Sequence, residues 1–278
     1  MGNYRLSAFA DEYADNFVEQ CQALNRFGIK NIEIRGVNGK NVSTLTDSEV
    51  DYVKKTLKTY NIEVSSIGSP IGKIKLDENM DSHFDLARRV FKIANELGAK
   101  NVRIFSFYLP DGKSRQDCKD AVISALKNLI DIASEYGVTL CHENEALIYG
   151  ESPDSCLELL NYFNGKLKCV FDMGNFVLDG FNPYDAYLKL YNHIEYFHIK
   201  DALYKGAIVP AGKGEAEIKR ILDDYKSKHQ GYFITLEPHL QTFSGINALV
   251  GKTFENPYKY ENAQVAFTDA VKSLMELL

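Results

Sequence analysis

Eight short runs rich in β-branched and aromatic residues, at 5–10, 31–35, 63–67, 101–107, 138–144, 167–172, 194–200 and 231–237, alternate with helical patterns along the whole chain. Parallel strands cannot be joined by tight turns, so this order implies repeated βαβ units with a crossover helix between strands. Eight such units favour an α/β fold closed into a single (β/α)8 barrel, and the 278 residues suit the roughly 250 of that architecture. The first helix, 15–27, carries Phe17, Cys21, Leu24 and Phe27 at helical spacing and is stopped by Gly28. The second opens on the capping sequence Thr46 to Glu49; Gly98 and Gly137 close the third and fourth. Further helices fall near 153–163, 183–191, 215–228 and 260–278. An open doubly wound sheet is the alternative, but the first βα turn, Ala10-Asp11-Glu12-Tyr13, lacks the GxGxxG of a dinucleotide loop.

No linker or composition shift divides residues 1–278, which read as one domain. A long segment at about 239–258, with Phe243, Ile246, Leu249, Val250 and Phe254, separates the last strand from its helix. Its length and apolar content fit a lid or a homo-oligomer contact. Hydrophobic residues at 45% and charged residues at 25% suit a globular protein with a full core. The net charge of −6 argues against nucleic acid, whose phosphates demand a basic face. Five cysteines without CxxC spacing suggest neither a disulfide framework nor a thiolate zinc site. No run is long enough for a signal peptide or a membrane span, so a cytoplasmic protein acting on a small polar substrate is expected.

Glu143, Asp172, His198 and Glu237 each stand at the end of one of the last four strand runs. Counting back two residues from each gives Cys141, Val170, Tyr196 and Thr235 on the same, barrel-facing side. Counting back one gives His142, Phe171, Phe197 and Leu236, mostly apolar and facing the helices. The four candidates therefore converge on the C-terminal mouth of the barrel, where such folds place active sites. Three carboxylates and an imidazole gathered there repel unless a cation offsets them, and one divalent metal ion does so. Oxygen-rich ligation with one His favours Mn2+ or Mg2+, while Co2+ or Zn2+ also fits.

The motifs HEN at 142–144, FDMGN at 171–175, FHIKD at 197–201, PAGKGE at 210–215 and LEPH at 236–239, in this order, resemble the xylose isomerase-like TIM-barrel superfamily. Within it they are most similar to the sugar phosphate isomerase/epimerase group that includes ketose 3-epimerases. The resemblance spans nearly the whole chain. It implies a TIM barrel in which Glu143, Asp172, His198 and Glu237 bind one divalent metal. It also implies that Glu143 and Glu237 serve as acid and base on opposite faces of a small carbohydrate. The metal would polarise a carbonyl and stabilise the enediolate left by proton removal; return of the proton gives epimerisation or aldose–ketose isomerisation.

Asn175 replaces the His that commonly follows the Asp in this family and is a substrate-binding candidate through its amide. Lys200 shares the parity of His198 and can reach a substrate oxygen; a solvated strand-end lysine is the competing explanation. Glu33 and Arg35 have matching parity and either reach the pocket or pair with each other. His142 points outward and suits packing. The 210–215 glycine loop could offer backbone N–H groups to substrate but lacks the P-loop GK[ST]. Alternative functions are metal-dependent polyol dehydration and non-catalytic sugar binding. Endonuclease IV-like DNA repair is disfavoured, because its trinuclear zinc site needs more than the six histidines here.

Overall fold

The computed structural model describes residues 4–241 and 257–278. Eight strands, laid down in chain order, make the main sheet of the described residues: β1 (Tyr4–Ala8), β2 (Asn31–Ile34), β3 (Glu63–Gly68), β4 (Asn101–Ile104), β5 (Thr139–Glu143), β6 (Leu167–Asp172), β7 (Ile194–Ile199) and β8 (Tyr232–Leu236). Each pairs in parallel with its neighbour in the order β1-β8-β7-β6-β5-β4-β3-β2. The nearly closed TIM barrel expected from the alternation is what the chain forms. Side chains bridge the seam between β1 and β2, where Asn31 Nδ2 donates to the Leu6 carbonyl at 2.9 Å.

The helices follow from their caps. Asn16 caps α1 (Phe17–Arg26), and a reciprocal box of Thr46 and Glu49 opens α2 (Asp47–Tyr60). Gly98, at φ 75°, ends α3 (Met80–Leu97); Ser114 and Asp117 form a second box on α4 (Arg115–Glu135). Ser152 with Pro at the first turn starts α5 (Pro153–Phe163). Then come α6 (Met173–Leu178), α7 (Pro183–Leu190), α8 (Ile218–Lys226) and α9 (Ala263–Leu277).

Strand parity divides the core as the sequence implies. Cys141, Val170 and Tyr196 form their own buried cluster inside the barrel, and Thr235 is buried as well. Phe171, Phe197 and Leu236 belong to the outer apolar layer beneath the helices. His142 is buried too, with Nε2 2.9 Å from Ser106 Oγ, a packing role; burial pushes its pKa down to about 4.

Three differences from the sequence reading have local causes. β4 stops at Ile104, short of 107, because the Phe105 and Phe107 amides donate to the Ile71 and Gly72 carbonyls of the loop after β3. The short α6 was not expected; Asp172 nucleates it by accepting from the Asn175 amide at 2.8 Å. α8 begins at Ile218, not 215, because Glu217 takes a left-handed φ of 51°. Most of the 239–258 loop, including Phe243, Ile246, Leu249, Val250 and Phe254, lies outside the described residues. Among the described residues no helix is long and apolar enough to cross a membrane.

Candidate metal centre

Register gathers the strand ends. Asp172 pairs with His198 across β6 and β7, and Thr235 pairs with His198 from β8, which sets Glu237 just above. β5 is tied to β6 at its tip: Asn144 Nδ2 donates to the Asp172 carbonyl at 3.0 Å, and the Asp172 amide returns a bond to Asn144 Oδ1 at 3.1 Å. As a result one ligand atom from each of Glu143, Asp172, His198 and Glu237 lies within 4.8 Å of the others, all four side chains buried.

His198 orients this set. Its Nδ1 is 2.7 Å from Glu143 Oε1 and 3.1 Å from Glu237 Oε2, while Nε2 is 3.1 Å from Glu33 Oε2. Tyr196 donates to the other oxygen of Glu33 at 3.0 Å, and the Phe9 ring meets His198 edge-on at 5.2 Å. A ring nitrogen fixed on an outer carboxylate leaves the other free to bind a metal in a known orientation. The donor set of one nitrogen and three carboxylates therefore fits a divalent ion.

Protein cations also enter the cluster. Lys200 Nζ donates to Asp172 Oδ2 at 2.8 Å, to Asn175 Oδ1 at 3.0 Å and to Glu237 Oε2 at 3.3 Å. Arg103 Nη1 donates to Glu143 Oε2 at 2.7 Å, and Arg35 Nη1 to Glu237 Oε1 at 3.0 Å. Arg35 also grips Asp11 through Nε and Nη2 and reaches Glu12 Oε1 at 3.2 Å. Arg35, Arg103 and Lys200 offset part of the charge that the sequence reading assigned to a metal ion. Asp11, Glu12, Glu33, Glu143, Asp172 and Glu237 face these three cations and the His198 ring, and burial raises the pKa values of Glu12 and Asp172, so a divalent ion would take the place of bound protons in balancing the carboxylates.

Burial works to raise the Glu143 pKa, but His198 and Arg103 outweigh it and hold the carboxylate ionised. Burial likewise opposes ionisation of Glu237, and Lys200, His239 and His198 overcome it. Burial lifts the Asp172 carboxyl to about 7 against the pull of Lys200. It disfavours the imidazolium of His198, yet Glu143, Glu33 and Glu237 raise that pKa well above its usual value. A metal ion would have to displace this proton.

The secondary candidates are now placed. Lys200 is a member of the cluster and not a solvated lysine, being 4% exposed. Gly174 makes room for it, since a Cβ there would fall 2.7 Å from Lys200 Cγ. Asn175 gives its amide N–H to the Asn144 carbonyl at 2.9 Å and its oxygen to Lys200. Glu33 and Arg35 both reach the site, each bonded to cluster members and not to one another. The glycine loop does not offer its N–H groups to the chamber: those of Gly212, Gly214 and Ala216 are taken by the Asp201 carboxylate at 2.8 to 3.0 Å.

Sequence reasoning missed Asp11, Glu12, Arg103 and the His239 ring, which lies 3.4 Å from Glu237 Oε1. A signal existed for Arg103. An arginine inside the apolar run Asn101-Val102-Arg103-Ile104 has nowhere to point but into the barrel. A cavity of about 320 Å3, lined by Arg35, Arg103, Lys73 and Phe105, opens beside the cluster. A larger one of about 610 Å3 lies among Glu63, Lys100, Glu195 and Gly231 at the opposite end, away from the strand tips.

A family model described as xylose isomerase-like TIM barrel matches residues 21–255. The chain belongs to this family. Similar solved structures include D-allulose 3-epimerase from Methylomonas sp. in complex with D-allulose, at 15% identity and TM-score 0.75, covering 100% of this chain and 97% of that one. The IOLI protein with a bound zinc atom is 18% identical with TM-score 0.74, covering 98% and 97%. The probable 3-DHS dehydratase AsbF from Bacillus anthracis is 17% identical with TM-score 0.72, covering 98% of each. At these identities the likeness is one of fold. Comparison of the sequence with curated proteins gives no significant match.

Proposed function

We propose that this xylose isomerase-like barrel is a cytoplasmic, divalent-metal-dependent isomerase or epimerase of a small carbohydrate or polyol derivative. Glu143, Asp172, His198 and Glu237 hold the metal, with Mn2+ or Mg2+ preferred for this oxygen-rich set. The reading is carried by one observation: the four ligand atoms, drawn from four successive strand ends, lie within 4.8 Å of one another in a buried chamber. When bound, such an ion supplies Lewis-acid polarisation of a substrate carbonyl and its neighbouring hydroxyl.

The chain's own residues move the proton. Glu143, ionised beside Arg103 and His198, and Glu237, ionised beside Lys200, form the acid/base pair on opposite faces of the substrate: one carboxylate takes the carbon-bound proton, and the other returns a proton that it has first drawn from solvent. Lys200 orients a substrate oxygen, and Asn175 holds that ammonium in place while presenting its own amide. Phe9 and Phe105 wall the chamber with apolar surface, which strengthens each charge interaction inside.

The test is solvent-deuterium incorporation into a panel of ketoses, followed by NMR with Mn2+, Mg2+ or Co2+ supplied. Exchange at a single carbon with inversion identifies an epimerase, exchange with carbonyl migration an isomerase, and loss of water a dehydratase. Glu143→Gln and Glu237→Gln should each lower exchange by about 100-fold or more. A protein that takes up no divalent ion at saturation refutes the reading.

A further inference from the structure

The proposed chemistry leaves one buried cation under-used. Arg103 is 6% exposed, and among the described residues its guanidinium makes a single hydrogen bond, from Nη1 to Glu143. Nε is buried without a partner. A guanidinium carries five donors, and those left unpaired in a buried site forfeit their hydration with nothing in return. Glycine at 68 leaves room beside Nη2 on the β3 side, since a Cβ there would fall 3.4 Å from it.

Arg103 does not stand alone. Its Cζ is 4.7 Å from the Phe105 ring centroid and Lys73 Nζ is 4.3 Å from the same centroid. The two charges are therefore no farther apart than those distances combined. Both line the 320 Å3 cavity beside Glu143, together with Arg35 and Lys40. The acids in that lining are Asp11 and Asp15, and Asp11 is already gripped by Arg35. Lys73 and Lys40 pair with Glu145 and Glu49, which stand outside the lining. Of the charged side chains that line this cavity four are cations and two are acids.

We propose that the cavity is an anion subsite: the substrate carries a carboxylate or phosphate, bound by Arg103 and Lys73, at the end remote from the reacting carbons. The Nη2 amine of Arg103 can donate to an oxygen of either group, with Lys73 supplying the second charge. Arg103 then links the two parts of the site, holding Glu143 with Nη1 and the substrate's charge with its remaining donors. The inference rests on the carbohydrate reading, of which it narrows the substrate class to sugar acids or sugar phosphates.

The test titrates the whole protein, metal-free and Mn2+-loaded, with D-fructose, D-fructose 6-phosphate and 5-keto-D-gluconate by calorimetry. At least one anionic probe should bind about 10-fold more tightly than D-fructose, with a preference that shrinks as salt is raised. The tighter of the two anions tells phosphate from carboxylate. Arg103→Gln should abolish the preference, and Lys73→Gln should reduce it about threefold while leaving D-fructose binding unchanged. Lys73 is partly exposed and pairs with Glu145, so its variant reads anion pairing apart from the Arg103–Glu143 contact. The subsite is disproved if no anion outbinds D-fructose. It is equally overturned if both variants keep the wild-type ratio, or if Arg103→Gln weakens all three probes alike. Failure of the metal reading looks different: no ion binds, yet the anion preference persists in the metal-free protein.

Discussion

Strands β5 to β8 bring Glu143, Asp172, His198 and Glu237 to the barrel mouth, whereas β1 to β4 and their loops bring Asp11, Glu12, Glu33, Arg35 and Arg103. The second half supplies a compact donor set. The first half surrounds it: Glu33 orients His198, Arg103 holds Glu143, and Arg35 spans Glu237, Asp11 and Glu12. Two of the counter-charges of this acidic cluster, Arg35 and Arg103, come from across the barrel, while Lys200 comes from the second half itself. The candidate ligands and most of the groups that position them are thus divided between the two halves.

That division can be broken by experiment. The largest effect is expected in the second half, where Asp172→Ala should eliminate stoichiometric metal binding and with it more than about 100-fold of any proton exchange. Elemental analysis and the deuterium assay measure the two together; a variant that still holds a full equivalent of metal removes Asp172 from the ligand set. In the first half, Arg35→Met should cost about 3 kcal/mol of stability in urea unfolding, since it strands buried carboxylates. An unchanged midpoint would show that the first-half cations are dispensable to the cluster.

Glu33→Gln should weaken metal affinity by about 10- to 100-fold while preserving the fold, as loss of an outer carboxylate behind a ligating His does. A loss as complete as that of Asp172→Ala would erase the distinction between the halves. The smallest effect is expected away from the ligands, at Asp179, which ends α6 with Oδ2 buried and unpartnered. Burial raises its carboxyl from 3.8 to about 7 in the folded protein. The folded state then binds the proton more tightly than the unfolded chain, so this contribution is full below pH 3.8 and is lost as pH rises through about 7. Asp179→Asn should flatten that decline, gaining about 2 kcal/mol near pH 8 after solvent screening is allowed for, read from unfolding at several pH values.

Much of the molecule was legible in the residues. The cap at Thr46 and the stop at Gly98 are local signals, and the elements they bound fall where the sequence places them. Strand parity put Phe171 and Phe197 outside and Val170 and Tyr196 inside. Asp201 was less visible, because its four amide partners include three from a loop that begins nine residues later. Arg103 was legible in principle as a charge in an apolar strand, but its partner lies 40 residues away.

Alternation of strand and helix determined the barrel, since parallel pairing and a period-two side-chain pattern are properties of short segments. The same parity determined that Glu143, Asp172, His198 and Glu237 face one chamber. Which cations share that chamber was decided only by the tertiary structure. Closure of β1 and β2 against the rest brings Arg35 to Glu237 across 202 residues and Glu33 to His198 across 165. Coulomb energy depends on distance in space, and no local pattern of residues encodes that distance until the barrel has closed.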